Sequence, residues 1–275
     1  MNRRTFLKSA VAGAVVLGTT SVCYGFAEAG NVQIVRKTVT LPNLPKAFDG
    51  TTVAFLTDIH HGPYVSLDFV ASVVRTTKML QPDLIVHGGD YILRSAEYTR
   101  PCFEVFSALR APLGVYGVLG NHDHWHALQT TQEAMRASGI TELTNCGVWL
   151  TKGNSRLRLC GVDDLMRGEP TIVPALGDTT VNDACILVSH NPDFAETIRD
   201  TRVGLVLSGH THGGQVNVPN MRNPFIPSQY GDKYRAGLCD APATRVYVSR
   251  GLGVTGIPVR YNCPPELTLL TLRAA

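Results

Sequence analysis

The chain has 275 residues, 44% hydrophobic and 17% charged, and carries a formal net charge of +3 at pH 7. That is an ordinary globular composition, long enough for one large domain or two small ones. Arg3, Arg4 and Lys8 against Glu28 account for most of the charge, so about +1 of the +3 belongs to the rest of the chain, too little for a nucleic-acid footprint.

The N-terminus reads as a targeting segment. Asn2-Arg3-Arg4-Thr5-Phe6-Leu7-Lys8 precedes a weakly apolar run from Ala10 to Gly18, and Ala27-Glu28-Ala29 is a small-x-small cleavage signature. Paired arginines before Phe-Leu-Lys resemble a twin-arginine export signal. A membrane anchor is the alternative, but the run is short of the ~20 residues of a span and is diluted by Gly13, Gly18, Thr19 and Thr20. A lipoprotein reading through Cys23 is disfavoured by Val22 before it. Residues 1–29 are therefore expected to be a twin-arginine signal peptide. The remainder, 30–275, is expected as one domain exported to the periplasm or the outer face of the cytoplasmic membrane. Six of the seven cysteines lie beyond that signal and none form a Cys-x-x-Cys pair, which leaves a thiolate zinc site unsupported. Cys160 and Cys185 fall in strand-like apolar runs and are expected as core hydrophobes, with disulfide pairing left open.

Past the signal, Val32 to Leu41 reads as extended and Thr52 to Thr57 as a buried strand ending at Asp58. Ser66 can cap a helix to about Leu80, with Phe69, Val70, Val73 and Val74 on one side. A strand at Leu84 to Val86 ends near Asp90, a helix covers about Cys102 to Leu109, a strand at Gly114 to Leu119 ends at Gly120, and Leu128 to Ser138 is helical. Strands are then expected at Val148–Thr151, Leu157–Val162, Ile186–Ser189, Leu205–Leu207, Val246–Ser249 and Leu267–Leu272. Strand–helix alternation followed mostly by strands argues for an α/β layered domain. The stretch from Asn217 to Tyr234, with Pro219, Pro224 and Pro227, is long for a loop and points to a functional role.

Four clusters punctuate this order: Asp58-Ile59-His60, Gly89-Asp90, Gly120-Asn121-His122-Asp123 and Gly209-His210-Thr211-His212, with His190 between the last two. Spacing of two in an extended chain sends Asp58 and His60 to one face while Ile59 faces the core, and His210-Thr211-His212 repeats it. Gly89, Gly120, Gly209, Gly213 and Gly214 would permit tight turns and close backbone approach. Carboxylate, amide and imidazole ligands without thiolate suit manganese, iron or zinc. Two such cations with Asp58, Asp90 and a bridging hydroxide leave about one net positive charge, so the site should prefer an anion such as phosphate.

This ordered set resembles the calcineurin-like metallophosphoesterase superfamily. The tail Ser249-Arg250-Gly251-Leu252-Gly253, with Gly256-Ile257-Pro258 and Asn262-Cys263-Pro264-Pro265-Glu266, is similar to its bacterial exported, twin-arginine branch, as are Ser189-His190-Asn191-Pro192 and His212-Gly213-Gly214-Gln215. The resemblance spans about Thr52 to Leu272. It implies a four-layer αββα sandwich of two mixed β-sheets flanked by helices, and two divalent metal ions. Asp58, His60 and His212 would hold one ion and Asn121, His190 and His210 the other, with Asp90 and a hydroxide bridging. It implies phosphodiester hydrolysis by that hydroxide, with His122 giving a proton or hydrogen bond to the leaving oxygen and Asp123 orienting the His122 imidazole.

The implied partners are a phosphate-ester substrate, a membrane lipid among the candidates, and the twin-arginine export machinery; a monomer is expected. A lipid or sugar-nucleotide-lipid pyrophosphohydrolase is the alternative substrate reading, with the Asn217–Tyr234 loop as the entrance. A catalytically silent metal-binding scaffold is the alternative of another class. The metallo-β-lactamase-like enzymes are disfavoured because no His-x-His-x-Asp-His run occurs. His61, His87, His124 and His126 are expected as polar lining or satisfied partners, Phe225, Tyr230 and Tyr234 chiefly as packing, and Asp163-Asp164 as a solvated turn.

Overall fold

The computed structural model describes residues 23–221 and 223–275. Arg3, Arg4 and the apolar run after them lie outside the described residues.

The strands are β1 (Gln33–Leu41), β2 (Thr52–Leu56), β3 (Leu84–His87), β4 (Val115–Gly117), β5 (Thr141–Glu142), β6 (Cys146–Lys152), β7 (Ser155–Gly161), β8 (Cys185–Val188), β9 (Leu205–Ser208), β10 (Gly237–Asp240), β11 (Arg245–Val248) and β12 (Glu266–Ala274). The helices are α1 (Leu67–Leu80), α2 (Thr99–Phe106), α3 (Asn121–Ser138) and α4 (Ile172–Leu176). Two six-stranded sheets result, ordered β1-β12-β2-β3-β4-β5 and β10-β11-β9-β8-β7-β6. Both are mixed. The first is parallel except where β12 meets β2, and the second is antiparallel only at its two edges, β10 with β11 and β6 with β7.

The sequence of β3, β8 and β9 explains their place. Each is a four-residue run with every residue buried, as parallel strands covered on both faces must be. Three apolar clusters then define four layers. Val53, Phe55 and Leu84 of the first sheet pack on Leu159, Ile186 and Leu207 of the second. Behind the first sheet lie Val70, Val73, Phe103 and Met135 of α1, α2 and α3. Behind the second lie Leu176 and Phe194. The expected αββα sandwich is the observed fold.

Ser66 caps α1 through its Oγ, which accepts from Phe69 N at 3.2 Å, and the helix ends at the left-handed Gln81 before Pro82. Two helices start earlier than the sequence suggests. Helix α2 begins at Thr99 with Pro101 in its first turn, where proline's missing N–H costs nothing. Helix α3 begins at Asn121 rather than Leu128, with a break at Ala127 (φ −165°, ψ 40°) that detaches the polar first turns from the apolar pattern.

Residues 23–29 form a short helical segment against the C-terminal region. Gly25 O accepts from Arg260 N at 3.0 Å, Glu28 Oε2 accepts from Cys263 N at 3.3 Å, and Tyr24 meets Tyr261 edge-on. The expected cleavage tripeptide Ala27-Glu28-Ala29 is the end of this docked segment. Cys160 and Cys185 are buried free thiols with Sγ atoms 3.6 Å apart.

Candidate metal centre

All seven residues singled out as ligands meet at the C-terminal ends of β2, β3, β8 and β9 and the start of α3, with exposures from 0% at Asp58 to 6% at His210. His60 Nε2 lies 3.0 Å from His212 Nε2 and 3.4 Å from Asp90 Oδ2, and His212 Nε2 is 3.5 Å from Asp58 Oδ1. On the other side, His190 Nε2 stands 3.3 Å from Asp90 Oδ2, 3.2 Å from Asn121 Oδ1 and 3.3 Å from His210 Nδ1. Asp58, His60 and His212 form one candidate ligand group and Asp90, His190 and His210 another, while His60, Asp90 and His122 form a third.

These separations fit a cation. Donors bonded ~2.1 Å from one ion stand about 3.0–3.4 Å from each other in octahedral or tetrahedral geometry. Lone pairs facing one another across such gaps repel unless an N–H proton or a cation sits between them. His190 is already set for this role. Its Nδ1 donates to Gly88 O at 2.8 Å, which leaves Nε2 as the free donor atom, the usual arrangement of a ligand histidine.

The backbone reaches the site differently from expectation. Asp58, His60, Asp90, His210 and His212 all have φ between 50° and 67°. The chain is thus not extended at either histidine pair but turns left-handed at alternate residues, a conformation costly to residues with a Cβ. Cross-links between loops hold it there: Asp58 N donates to Gly89 O and His60 N to Asp90 O, each at 3.0 Å. Ile59 between them is buried in the core, as expected. Close approach explains two of the glycines. A Cβ at Gly209 would lie 2.1 Å from Asp58 Oδ2, and one at Gly120 would lie 2.3 Å from Asp90 Oδ1.

The electrostatics ask for positive charge. Burial raises Asp58 to about 6, against the pull of His190. Burial alone would raise Asp90 too, but His190, His60 and His122 hold it well below the usual carboxylate range. Desolvation would lower His190, yet Asp90, Asp58 and Asp164 drive it well above the usual imidazole value. Desolvation pushes His60 and His210 down to about 3, so both are neutral donors.

His122 is half-buried, its ring edge-on to His60 with centroids 4.7 Å apart. Its backbone N donates to Asp90 Oδ1 at 2.8 Å. Asp123 does not orient the His122 ring, whose Nδ1 has no partner. Instead the Asp123 carboxylate accepts from Asp90 N at 2.8 Å, Gly120 N at 2.9 Å and Tyr91 N at 3.0 Å. A carboxylate at the third position of a helix prefers the free N–H groups of the cap to a neighbouring side chain.

Other expectations need similar correction. Asp164 is not solvated but fully buried, with Oδ2 capping Met166 N and Arg167 N and Oδ1 unpartnered. Asp163 is paired with His124 Nε2 at 2.8 Å. His87 is no satisfied partner: both ring nitrogens lack partners between Tyr91 and Phe106, and burial pushes it to about 3. His61 does find a partner, Val65 O at 2.8 Å, and the His126 ring lies tilted beside that of His122, centroids 5.6 Å apart. Tyr234 is buried packing, but Phe225 is 76% exposed.

Arg260 carried no periodic or motif signal of its own. It is fully buried, with Nη2 donating to Arg250 O at 2.9 Å and Gly251 O at 3.1 Å and Nε to Gly253 O at 3.0 Å. The same loop supports the first cluster, since Leu252 N donates to Thr57 O and Gly253 N to Asp58 O. The tail motif therefore lies beneath Asp58 rather than in the ligand set.

The description calcineurin-like phosphoesterase belongs to the family model that matches residues 51–214, more than half of the chain. The chain is a calcineurin-like phosphoesterase. Among its relatives, the uncharacterized metallophosphoesterase YkuE of Bacillus subtilis is 34% identical over 283 aligned positions, covering 100% of this chain and 98% of that protein. Phosphodiesterase YaeI of Escherichia coli is 31% identical, covering 99% of each. A metallophosphoesterase of Aquifex aeolicus is 30% identical over 94% of this chain and 97% of its own. As a member of this family the protein is a phosphoric ester hydrolase.

Proposed function

We propose that this phosphoesterase hydrolyses phosphodiesters with two divalent cations, one held by Asp58, His60 and His212 and the other by Asn121, His190 and His210, with Asp90 between them. One observation carries the reading: Asp90 Oδ2 stands between the two buried donor groups, 3.4 Å from His60 Nε2 of one and 3.3 Å from His190 Nε2 of the other. The name of the Escherichia coli relative, a phosphodiesterase, supports the diester preference. Manganese, iron or zinc, when bound by such donors, lowers the pKa of water toward neutrality and draws electron density from phosphoryl oxygens.

The chain's own residues do the rest. Asp90 is kept ionised by the surrounding imidazoles, and Asn121 contributes oxygen without added negative charge, which favours an anionic substrate. His122, lowered by burial first, donates a hydrogen bond from a neutral ring to the leaving oxygen. Its half-exposed position suits a group that meets substrate rather than metal.

The test is hydrolysis of bis(p-nitrophenyl) phosphate against p-nitrophenyl phosphate and an alkyl pyrophosphate, with each metal in turn. Metal-dependent release that favours the diester is expected. Monoester or pyrophosphate turnover without diester turnover would overturn the preference.

The destination is proposed with it: export through the twin-arginine machinery, carried by Arg3-Arg4 before Phe6-Leu7-Lys8, to the periplasm or the outer face of the cytoplasmic membrane. No helix among the described residues is long and apolar enough to cross a membrane. Replacing both arginines with lysine should strand the precursor inside the cell, and normal export of that variant would refute the route.

A further inference from the structure

Beside His212 lies a cavity of 460 Å³, within the ~300–1,000 Å³ of small-molecule sites. Thr211, His212, Val216, Phe225, Pro227 and Ile257 are among its walls. It adjoins the metal centre, because His212 belongs to both and the Pro227 carbonyl lies near the His210 ring without completing a hydrogen bond.

Most of the side-chain polar groups in these walls are already occupied. Thr211 Oγ1 donates to Arg235 O at 2.9 Å. Gln215 Nε2 donates to Thr255 O and Ile257 O, and its Oε1 accepts from Thr255 N, all at 2.9 Å. Among the described residues, no Asp, Glu, Lys or Arg lines the cavity. What faces inward is therefore chiefly hydrocarbon.

The rim is apolar and built to stay so. Asn223 Nδ2 donates to Gly214 O at 2.7 Å and Val216 O at 3.0 Å, while its Oδ1 accepts from Phe225 N at 2.9 Å. That turn fixes Phe225 while leaving its ring 76% exposed; Ile257 across the cavity is 53% exposed. The same loop exposes Met221 at 69% and Val218 at 46%. Large apolar side chains held in water around an apolar cavity mark a binding surface.

We propose that this cavity takes an aliphatic chain attached to the scissile phosphate, so that the substrate is an amphiphilic phosphodiester. A nucleoside base would bring donors and acceptors that the saturated walls cannot meet, at a cost in desolvation. An alkyl or acyl chain brings none. The proposal rests on the phosphodiesterase reading of the metal centre.

The test measures binding of methyl, butyl and hexyl monoesters of methylphosphonic acid to the manganese-loaded protein by calorimetry, alongside turnover of bis(p-nitrophenyl) phosphate. Affinity should rise with chain length, up to about fourfold for each methylene buried, the equivalent of ~0.8 kcal/mol. Phe225→Ser and Ile257→Ser, at exposed positions where folding is not at stake, should each flatten that dependence. Equal affinity for methyl and hexyl esters, or an undiminished slope in both variants, overturns the proposal. Turnover with flat binding sinks only the cavity assignment. Chain-dependent binding that the variants abolish, without diester turnover, upholds the cavity and sinks only the phosphodiesterase reading.

Discussion

Asp123→Ala removes one carboxylate and leaves three buried backbone donors, Asp90 N, Tyr91 N and Gly120 N, without their acceptor. Each buried N–H left unmet costs about 1–3 kcal/mol. Water entering the vacated space can satisfy part of that need, so a loss of about 4 kcal/mol is expected. For a protein of this size, ~1 kcal/mol shifts Tm by about 2–4 °C, and the variant should melt about 8–16 °C lower. Asp123→Asn retains one acceptor oxygen for two donors but turns an amide N–H₂ toward the third, and should cost about half as much. Burial, then the nearby Asp90, pushes Asp123 up to about 7, so denaturation is measured at pH 8.5, where the carboxylate is charged. Manganese affinity should fall in the same order, since Asp123 ties the backbone of Asp90 to the start of α3. A loss below ~1 kcal/mol in Asp123→Ala, or equal losses in the two variants, would refute the clamp.

Asp90→Asn should lower the content of both metals on elemental analysis and abolish diester turnover; full occupancy would count against a shared ligand. His122→Ala should retain metal yet slow esters with poor leaving groups most, since these depend most on donation to the leaving oxygen. Equal slowing across a series of substituted phenyl esters would remove that role. The Asp163 hydrogen bond raises His124 above its usual value. A raised histidine contributes stability that is fully present below its unfolded pKa, near ~6.5, and is lost as pH climbs through the folded value. The Tm gap between the native protein and His124→Gln should therefore be widest at pH 5.5 and shrink toward pH 8.5. A gap that widens with pH would reverse the assignment.

The layered fold was readable because Leu84–Val86, Cys185–Val188 and Leu205–Leu207 are unbroken apolar runs, as strands covered on both faces require. Short elements escaped, among them Thr141–Glu142, Ile172–Leu176 and Gly237–Asp240, which are too brief for periodicity. The candidate ligand residues were singled out through residue type and order, but not through their backbone. Alternation suggested extended segments, whereas neighbouring loops impose left-handed turns at Asp58, His60, His210 and His212. Asp164 and Arg260 stayed hidden for a different reason. A charged side chain reads as solvated unless its partners are known, and theirs are backbone atoms supplied by the fold.

Strand β12 lies between β1 and β2 although it is the last element of the chain. Strands β1 and β2 have no direct ladder to each other and are joined only through β12. Deleting residues 266–275 would therefore cut β1 off from the other four strands of its sheet, although β12 and β1 lie far apart along the chain.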